Sequence, residues 1–313
     1  MAHVRPLDTG DDRLVARVHA LLRACHEEAS PRVPYRDEAE TAGFLRHPPP
    51  FERRPLWIAG DVEGFARLGI VDGSRSAWLE LAVAQPSRRR GIGRGLLDAA
   101  IAEARRHDCS AVAGRHLTAA GAAFARSAGA EDTRQDITSV LELRAARLDV
   151  VSVDGYRITS WIGAAPAELV ESYADARNAI NDAPSSNPDE DYEWTVEMVR
   201  GEEAMLARRG RELRVTVALD AGGAVAAFTE LRVSPGTVAS TEDTATVAAQ
   251  RGRGLASWVK TESLSRLRAE RPNVELVTTT NAAENEAILA LNRRLGFAEA
   301  AAATTASLAL PRA

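Results

Sequence analysis

Two short stretches of this chain carry residue types and a spacing suited to holding an anion. Arg88-Arg89-Arg90-Gly91-Ile92-Gly93 and Arg251-Gly252-Arg253-Gly254-Leu255-Ala256 both fit R-x-x-G-x-[G/A]. Each follows an apolar, strand-like run and opens an amphipathic helical pattern. Strand, glycine turn and helix N-terminus together aim open backbone N–H groups and the positive end of a helix dipole at one point. Glycine is expected at positions 91 and 254 because a Cβ would hold a phosphate off the backbone. Neither stretch reads G-x-G-x-x-G and no G-x-x-x-x-G-K-[S/T] occurs, which sets aside dinucleotide folds and P-loops.

The elements that must position these turns repeat. In the first half the pattern predicts a helix over 11–29, a loop over 46–54 and strands over 56–59, 64–71 and 77–84. After the turn come a helix through Ala104, a strand at 111–113, a helix over 119–127 and a strand near 137–143. The second half repeats the order. It has a strand at 156–160, helices over 167–179 and 196–208 around a Pro- and acid-rich loop, and a hairpin of 213–219 with 224–233. A strand over 238–247, the second turn, a helix over 255–267, a strand at 274–280, a helix over 284–295 and a strand near 304–310 complete it. The shared order implies duplication, with an α/β fold (mixed α+β sheet) in each copy and domains at 1–148 and 149–313.

Composition narrows the partners. The 313 residues are 45% hydrophobic and 27% charged, as in a soluble globular protein, with no apolar run long enough to span a membrane. The N-terminus lacks a signal-peptide pattern, and two cysteines make no disulfide framework, so a cytoplasmic protein is expected. Neither cysteine has metal-ligand spacing, and no metal is expected. Arginine supplies 38 of the 39 basic residues, Lys260 being the only lysine. That bias and the net charge of −5 argue against a nucleic-acid surface. Residues 1–148 carry a net of +2 and 149–313 a net of −7, and all six histidines lie in the first half. Histidine is therefore no candidate for a base within the second domain.

Leu79-Glu80-Leu81-Ala82-Val83, Pro86, the Arg88 turn and Leu96-Leu97 resemble motif A of the GCN5-related N-acetyltransferase (GNAT) superfamily. Asn281-Ala282-Ala283-Glu284-Asn285 followed by Asn292-Arg293-Arg294-Leu295-Gly296-Phe297 resembles its motif B. The whole chain is similar in layout to the tandem, two-domain actinobacterial members such as mycothiol synthase. The resemblance implies a tandem duplication of the GNAT acyl-CoA N-acyltransferase fold, with acetyl-CoA as cosubstrate. Its thioester arm would lie in a gap between two splayed parallel strands, against the backbone of Leu81–Val83 in one copy and Ala245, Thr246 and Val247 in the other. The pyrophosphate would take the turns themselves: Arg88, Arg90, Gly91, Ile92, Gly93, Arg94 and Gly95, and Arg251, Arg253, Gly254, Leu255 and Ala256. Asn281 and Asn285 would bind pantetheine or cap a helix.

Acetyl transfer to an amine needs a base, polarisation of the carbonyl and a proton for the departing thiolate. Many relatives supply that proton from a tyrosine of motif B, but the corresponding residues here are Asn292 and Ala125. Asn292 can donate a hydrogen bond to sulfur but not a proton. The base candidates are Glu80 in the first copy and Glu242, Asp243 and Glu230 in the second, and a bulge would decide which of them faces the cleft. The loop acids Asp182, Asp189, Glu190, Asp191 and Glu193, with Tyr192 and Trp194, would attract a cationic substrate or remain a solvated loop. In mycothiol synthase-like proteins the C-terminal copy is the catalyst, and the resemblance implies the same here, with the first copy binding acetyl-CoA structurally or acting second. The expected function is acetyl-CoA-dependent N-acetylation of a small primary amine such as an antibiotic, amino sugar or secondary metabolite, by a monomer or homodimer. The alternative is a non-catalytic acyl-CoA-binding module.

Overall fold

The computed structural model describes residues 3–149, 152–182 and 193–311. The chain folds as two compact units. One takes Met1–Asp136 together with Ala301–Ala313, and the other takes most of Ile137–Ala300. The boundary expected from the repeat is 148/149. The packing assigns 137–148 to the second unit and the C-terminal residues from 301 on to the first.

The first unit begins with β1 (Val4–Pro6) and the long helix α1 (Asp12–Ala29). Asp11 caps α1 by accepting from the amides of Arg13 and Leu14, and Val15, Val18, Leu21 and Leu22 form its buried stripe. A second helix, α2 (Glu38–Arg46), precedes the prolines and is capped by Asp37. Its only buried residues are Thr41 and Leu45, so its apolar period is faint in the sequence. The strands β2 (Glu52–Arg53), β3 (Leu56–Ala59), β4 (Gly64–Val71) and β5 (Ser76–Val83) follow. Then come α3 (Ile92–Arg106), β6 (Ala111–His116) and α4 (Ala119–Ala128). In sheet order the strands of this unit run β1-β3-β4-β5-β6, and β6 is then paired antiparallel by the chain's last strand, β13 (Ala298–Ala309), through Thr304–Ala309. One face of the sheet packs α1 and α2 around Phe65, Ile58 and Ala82. The other packs α3 through Ile92 and Leu96 against Leu79, Leu81 and Val83.

The second unit repeats the plan. Its strands are β7 (Glu131–Glu142, with residues from Ile137 on), β8 (Arg157–Ile162), β9 (Glu212–Leu219), β10 (Val225–Val233), β11 (Val238–Thr246) and β12 (Leu276–Ala282). They run in the order β7-β12-β11-β10-β9-β8. The helices are α5 (Val170–Arg177), α6 (Val196–Arg208), α7 (Leu255–Glu270) and α8 (Glu286–Leu295). Leu264 and Leu267 of α7 meet Leu291 and Leu295 of α8 and Phe297 in one core. Motif-B glycines Gly129 and Gly296 end α4 and α8 in the left-handed region, at φ 85° and 102°. A side chain there would be strained, so these glycines terminate helices.

Lys260 of α7 is 1% exposed, with its ammonium 5.3 Å from the centroid of the Phe297 ring. Burial pulls its pKa down to about 7. Between about 7 and the ordinary lysine value the unfolded chain binds the extra proton, so stability rises with pH across that window and the penalty is full below it. Lys260→Met is expected to raise stability at pH 6 by on the order of a few kcal/mol, and to flatten the rise between about pH 7 and 9.5. Denaturant unfolding of both proteins across that range measures it; an unchanged pH slope would refute the assignment.

Candidate functional site

In each unit two parallel strands pair briefly and then part. β5 and β6 pair only over Ser76–Leu79 with Ala111–Gly114, although β5 continues to Val83. β11 and β12 pair only over Val238–Ser240 with Leu276–Thr278, although β11 continues to Thr246. The far halves of β5 and β11 stay paired on their other edges, to β4 and β10. One backbone edge of Leu81–Val83 and of Ala245–Thr246 is thereby left to a ligand. Val247 lies just beyond, with its amide donated to Ala226 at 2.9 Å.

The glycine turns lie at the ends of these edges. Gly91 and Gly254 are the N-caps of α3 and α7, both left-handed (φ 82° and 83°), and no side chain caps either helix. The amides of Ile92, Gly93 and Arg94, and of Leu255, Ala256 and Ser257, are first-turn donors with no intrahelical partner. Helices α1, α2, α4, α6 and α8 all carry a capping side chain instead. Nothing of the protein lies within 4 Å of where a Cβ would sit at Gly91 or Gly254, so the space above both is empty and the backbone angle itself also requires glycine. The position matching Gly252 (φ 77°) is Arg89, which holds φ 64° at a cost.

Several expected contacts are corrected at this level. Gly95 donates its amide to the Gly91 carbonyl at 3.0 Å and is a helix residue, not a free donor. The side chains of Ile92 and Leu255 are core anchors, 2% and 1% exposed, so only their amides face the turn. Arg88 and Arg251 brace the turn. Each donates from Nε to the strand-end carbonyl, of Val83 and Thr246 respectively, at 3.2 Å. Arg88 is also held bidentately by Glu28 at 2.6 and 2.8 Å, and Arg251 pairs with Asp182. Arg90 binds Glu63 at 2.9 Å, Arg94 binds the Ser127 carbonyl, and Arg253 is exposed.

Motif B divides into framework and cleft. Asn285 caps α8 by accepting from Ile288 N, the same task that Thr118 performs for α4. Asn292 is 1% exposed and donates its amide to Asn281 at 2.8 Å, so it acts behind Asn281 instead of reaching a sulfur itself. The residue matching Asn281 in the first unit is Gly114, where a Cβ would lie 2.7 Å from the Leu79 carbonyl. No side chain fits there.

The carboxylates separate the two units. Pairing of β10 with β11 jumps from Thr229/Thr244 to Leu231/Thr241, so Glu242 and Asp243 oppose the single residue Glu230. This bulge lets consecutive residues act on one face. Asp243 reaches Arg177 of α5 at 3.6 Å, and Glu242 reaches Arg232 at 3.5 Å and Ser240. Glu230 is fully buried, accepts from the Tyr173 hydroxyl at 2.6 Å and lies 3.3 Å from Arg177. Glu202 of α6 ties Arg177 to Arg232, and the Arg177 guanidinium stacks 3.4 Å from the centroid of Trp194. Burial pushes Glu230 up to about 7; Arg177 opposes this, and repulsion from Glu202 and Asp243 adds to it. Desolvation raises Asp243 as well, against Arg177, with Glu202 and Glu242 reinforcing it. Its side chain keeps 39% exposure, which leaves it reachable. Glu242 is shifted downward: its burial is outweighed by Arg232 and the Ser240 hydroxyl.

The first unit has no such bulge, since β4 and β5 pair in unbroken register. Glu80 lies 3.0 Å from Arg67 and, despite burial, is held below the usual carboxylate range by Arg67, Arg36 and Arg54. Tyr173, Arg177, Glu202 and Arg232 were not expected from the sequence. Their signal was charge at core spacing, as with Glu202 and Glu203 between Val199 and Met205 on the buried side of α6. Asp189, Glu190, Asp191 and Tyr192 lie outside the described residues.

Residues 15–129 match the model of the acetyltransferase (GNAT) family. The chain carries a GNAT acetyltransferase domain. Over its full length it also superposes on a tandem GNAT protein from the clavulanic acid biosynthesis pathway, with a TM-score of 0.85, 26% identity and 100% of both chains covered. A GCN5-related N-acetyltransferase from Sphaerobacter thermophilus shares the fold at TM-score 0.71 and 16% identity, over 98% of this chain and 95% of that one. A mycothiol acetyltransferase of Geodermatophilus obscurus is 41% identical over 97 residues, which span 30% of this chain and 30% of that protein. Both units thus have the GNAT fold. The open strand edges and uncapped glycine-headed helices fit the pantetheine and pyrophosphate of an acyl-CoA. No group of three or more His, Cys, Asp or Glu among the described residues is arranged to hold a metal ion.

Gly91→Ala and Gly254→Ala should each cost about 1–2 kcal/mol through positive φ alone, lowering the melting temperature by about 2–4 °C. Thermal unfolding measures this. An unchanged midpoint in both would show that the turns do not need their left-handed caps.

Proposed function

We propose that this protein is an acetyl-CoA-dependent N-acetyltransferase for a small primary amine, with the second unit as its catalyst. The observation that carries the reading is the β11 bulge, which puts a reachable, proton-hungry Asp243 beside buried Glu230. Asp243 takes the proton of the incoming ammonium, directly or through one water. Arg177 fixes that carboxylate, and Glu230 with Tyr173 fixes Arg177. The amine then attacks the thioester carbonyl, and solvent returns a proton to the departing thiolate, position 292 being asparagine. Glu202, Glu230, Glu242 and Asp243 outnumber Arg177 and Arg232 in the described cleft, which suits a cationic amine.

The pyrophosphate contacts proposed are the amides of Ile92, Gly93 and Arg94 and of Leu255 and Ala256, with Arg90 and Arg253 beside them. Asn281, held by Asn292, is the proposed pantetheine contact. For the first unit a second reading is favoured by its pinned Glu80 and unbroken β4–β5 register: it binds acyl-CoA without turning it over. The duplicated domains are taken as 1–148 and 149–313, and the free Cys25 and Cys109 support a cytoplasmic setting.

Thiol release measured across a panel of amines tests this. Asp243→Asn should lower kcat/KM about 100-fold or more, while Glu80→Gln should leave it within about twofold. With Asp243 raised above the ordinary aspartate value, wild-type kcat/KM should climb with pH above that value and level off once its carboxylate is ionised. A loss confined to Glu80→Gln would move catalysis to the first unit. Binding of acetyl-CoA with no turnover of any amine would leave the non-catalytic module.

A further inference from the structure

The equivalent edge strands of the two units are built differently. In the first unit the edge is β1, three residues long and holding Arg5 and Pro6. Short length, charge and proline are the devices that keep a strand edge from pairing with another chain. In the second unit the edge is β8, Arg157–Ile162, which has no proline and no charge after Arg157. Ile158, Thr159, Trp161 and Ile162 are all strong strand formers. β9 pairs the strand along one side, and no strand among the described residues pairs the other. Ile162, at its end, is 54% exposed, more than any other large hydrophobic side chain among the described residues.

The register shows which backbone groups are open. Gly163 donates its amide to the Leu213 carbonyl of β9 at 2.8 Å. Antiparallel pairing alternates, so Thr159 and Trp161 also turn their backbone groups to β9, while those of Ile158, Ser160 and Ile162 turn outward. Side chains alternate too. Ile158, Ser160 and Ile162 share the face where Ile158 packs against Trp258 and Val259 of α7. Thr159 and Trp161 share the other, where Trp161 meets Tyr173 of α5 edge-on at 5.3 Å.

This edge is complementary to itself. A two-fold axis through Ser160, perpendicular to the sheet, lays a second β8 antiparallel beside the first. Ile158 then lies opposite the partner's Ile162, and Ser160 opposite the partner's Ser160. These are the residues with outward amides and carbonyls, so each opposed pair is a hydrogen-bonded pair of the new ladder. On the other face Thr159 meets the partner's Trp161. Arg157 falls opposite the partner's Gly163, a position with open space where a Cβ would be, so no like charges are opposed. A shift of one residue sends the apolar sets to opposite faces. A shift of two in either direction carries an isoleucine past the end of the partner strand.

We propose that β8 is the interface of a symmetric homodimer, two copies pairing antiparallel about Ser160. A foreign strand has no need of a self-matching register, and that register is why the occupant is a second copy. The inference does not depend on acetyl transfer being the protein's activity.

Sedimentation velocity between about 5 and 200 μM tests this on the full chain. The average mass should rise with concentration from that of one chain toward that of two. Ile162→Lys should weaken the dimer about tenfold or more while leaving the melting temperature unchanged, the side chain being exposed. Ser160→Cys, made together with Cys25→Ser to remove the half-buried thiol, should form an interchain disulfide on mild oxidation. Hydrogen-bonded antiparallel pairs hold their Cα atoms about 5.5 Å apart, within disulfide reach. Thr159→Cys in the same background should not cross-link, its Cα lying about 8 Å from its symmetry mate. If Ile162→Lys proves unfolded, the two cysteine variants carry the test. A mass of one chain at every concentration, an Ile162→Lys dimer as tight as wild type, or cross-linking at 159 equal to that at 160 would overturn the proposal.

Discussion

Both units depend on one constraint: two parallel strands that share only three or four residue pairs before they separate. A parallel pair must be joined by a crossover, here α3 or α7, and the crossover begins where the strands have already parted. The first amides of the helix therefore open next to a strand edge with no partner. The left-handed glycine is the geometric joint that turns the chain from that edge into the helix. Arg88 and Arg251 hold the joint shut by bonding back to the strand-end carbonyl, so the residue most visible as a phosphate ligand is a brace.

On this shared frame the two units diverge electrostatically. A single extra residue in β11 gathers acids around Arg177 and raises the proton affinity of two of them. In the first unit the same face is tied by arginines, and Glu80 is kept ionised. The position of Glu230 in β10 is taken by Arg67 in β4, so the register that makes one cleft acidic makes the other basic. Duplication with this exchange gives two cradles of one design facing different chemistry.

Much of the frame was legible in the sequence, because strand alternation, helix stripes and glycine turns are local signals. Helix 196–208 and strands 56–59 and 64–71 fall where the pattern puts them. α2 was missed because a helix with two buried residues has little period to read. β7 and β13 run longer than expected, their outer halves being polar or alanine-rich. The carboxylate cluster was beyond local reading: Tyr173 meets Glu230 across 57 residues of chain, and the bulge that aims Asp243 leaves no mark in composition. Asn285 shows the opposite lesson, since of the two roles the sequence left open, pantetheine ligand or helix cap, it fills the cap, as Thr118 does in the first unit.

The pairing of β6 with the last strand of the chain has a consequence for how the protein is made. β6 ends at His116, yet its antiparallel partner spans Thr304–Ala309, so nearly two hundred residues must be synthesised before that edge is covered. Domains generally complete themselves in order as they leave the ribosome. Here the first unit is begun early and finished only once Thr304–Ala309 have been made. Until then it presents an unprotected strand edge, of the kind that invites pairing with a foreign chain. Synthesis of residues 304–309 is thus a folding step for the first unit, and a chain cut before them leaves that unit, not only the second, incomplete.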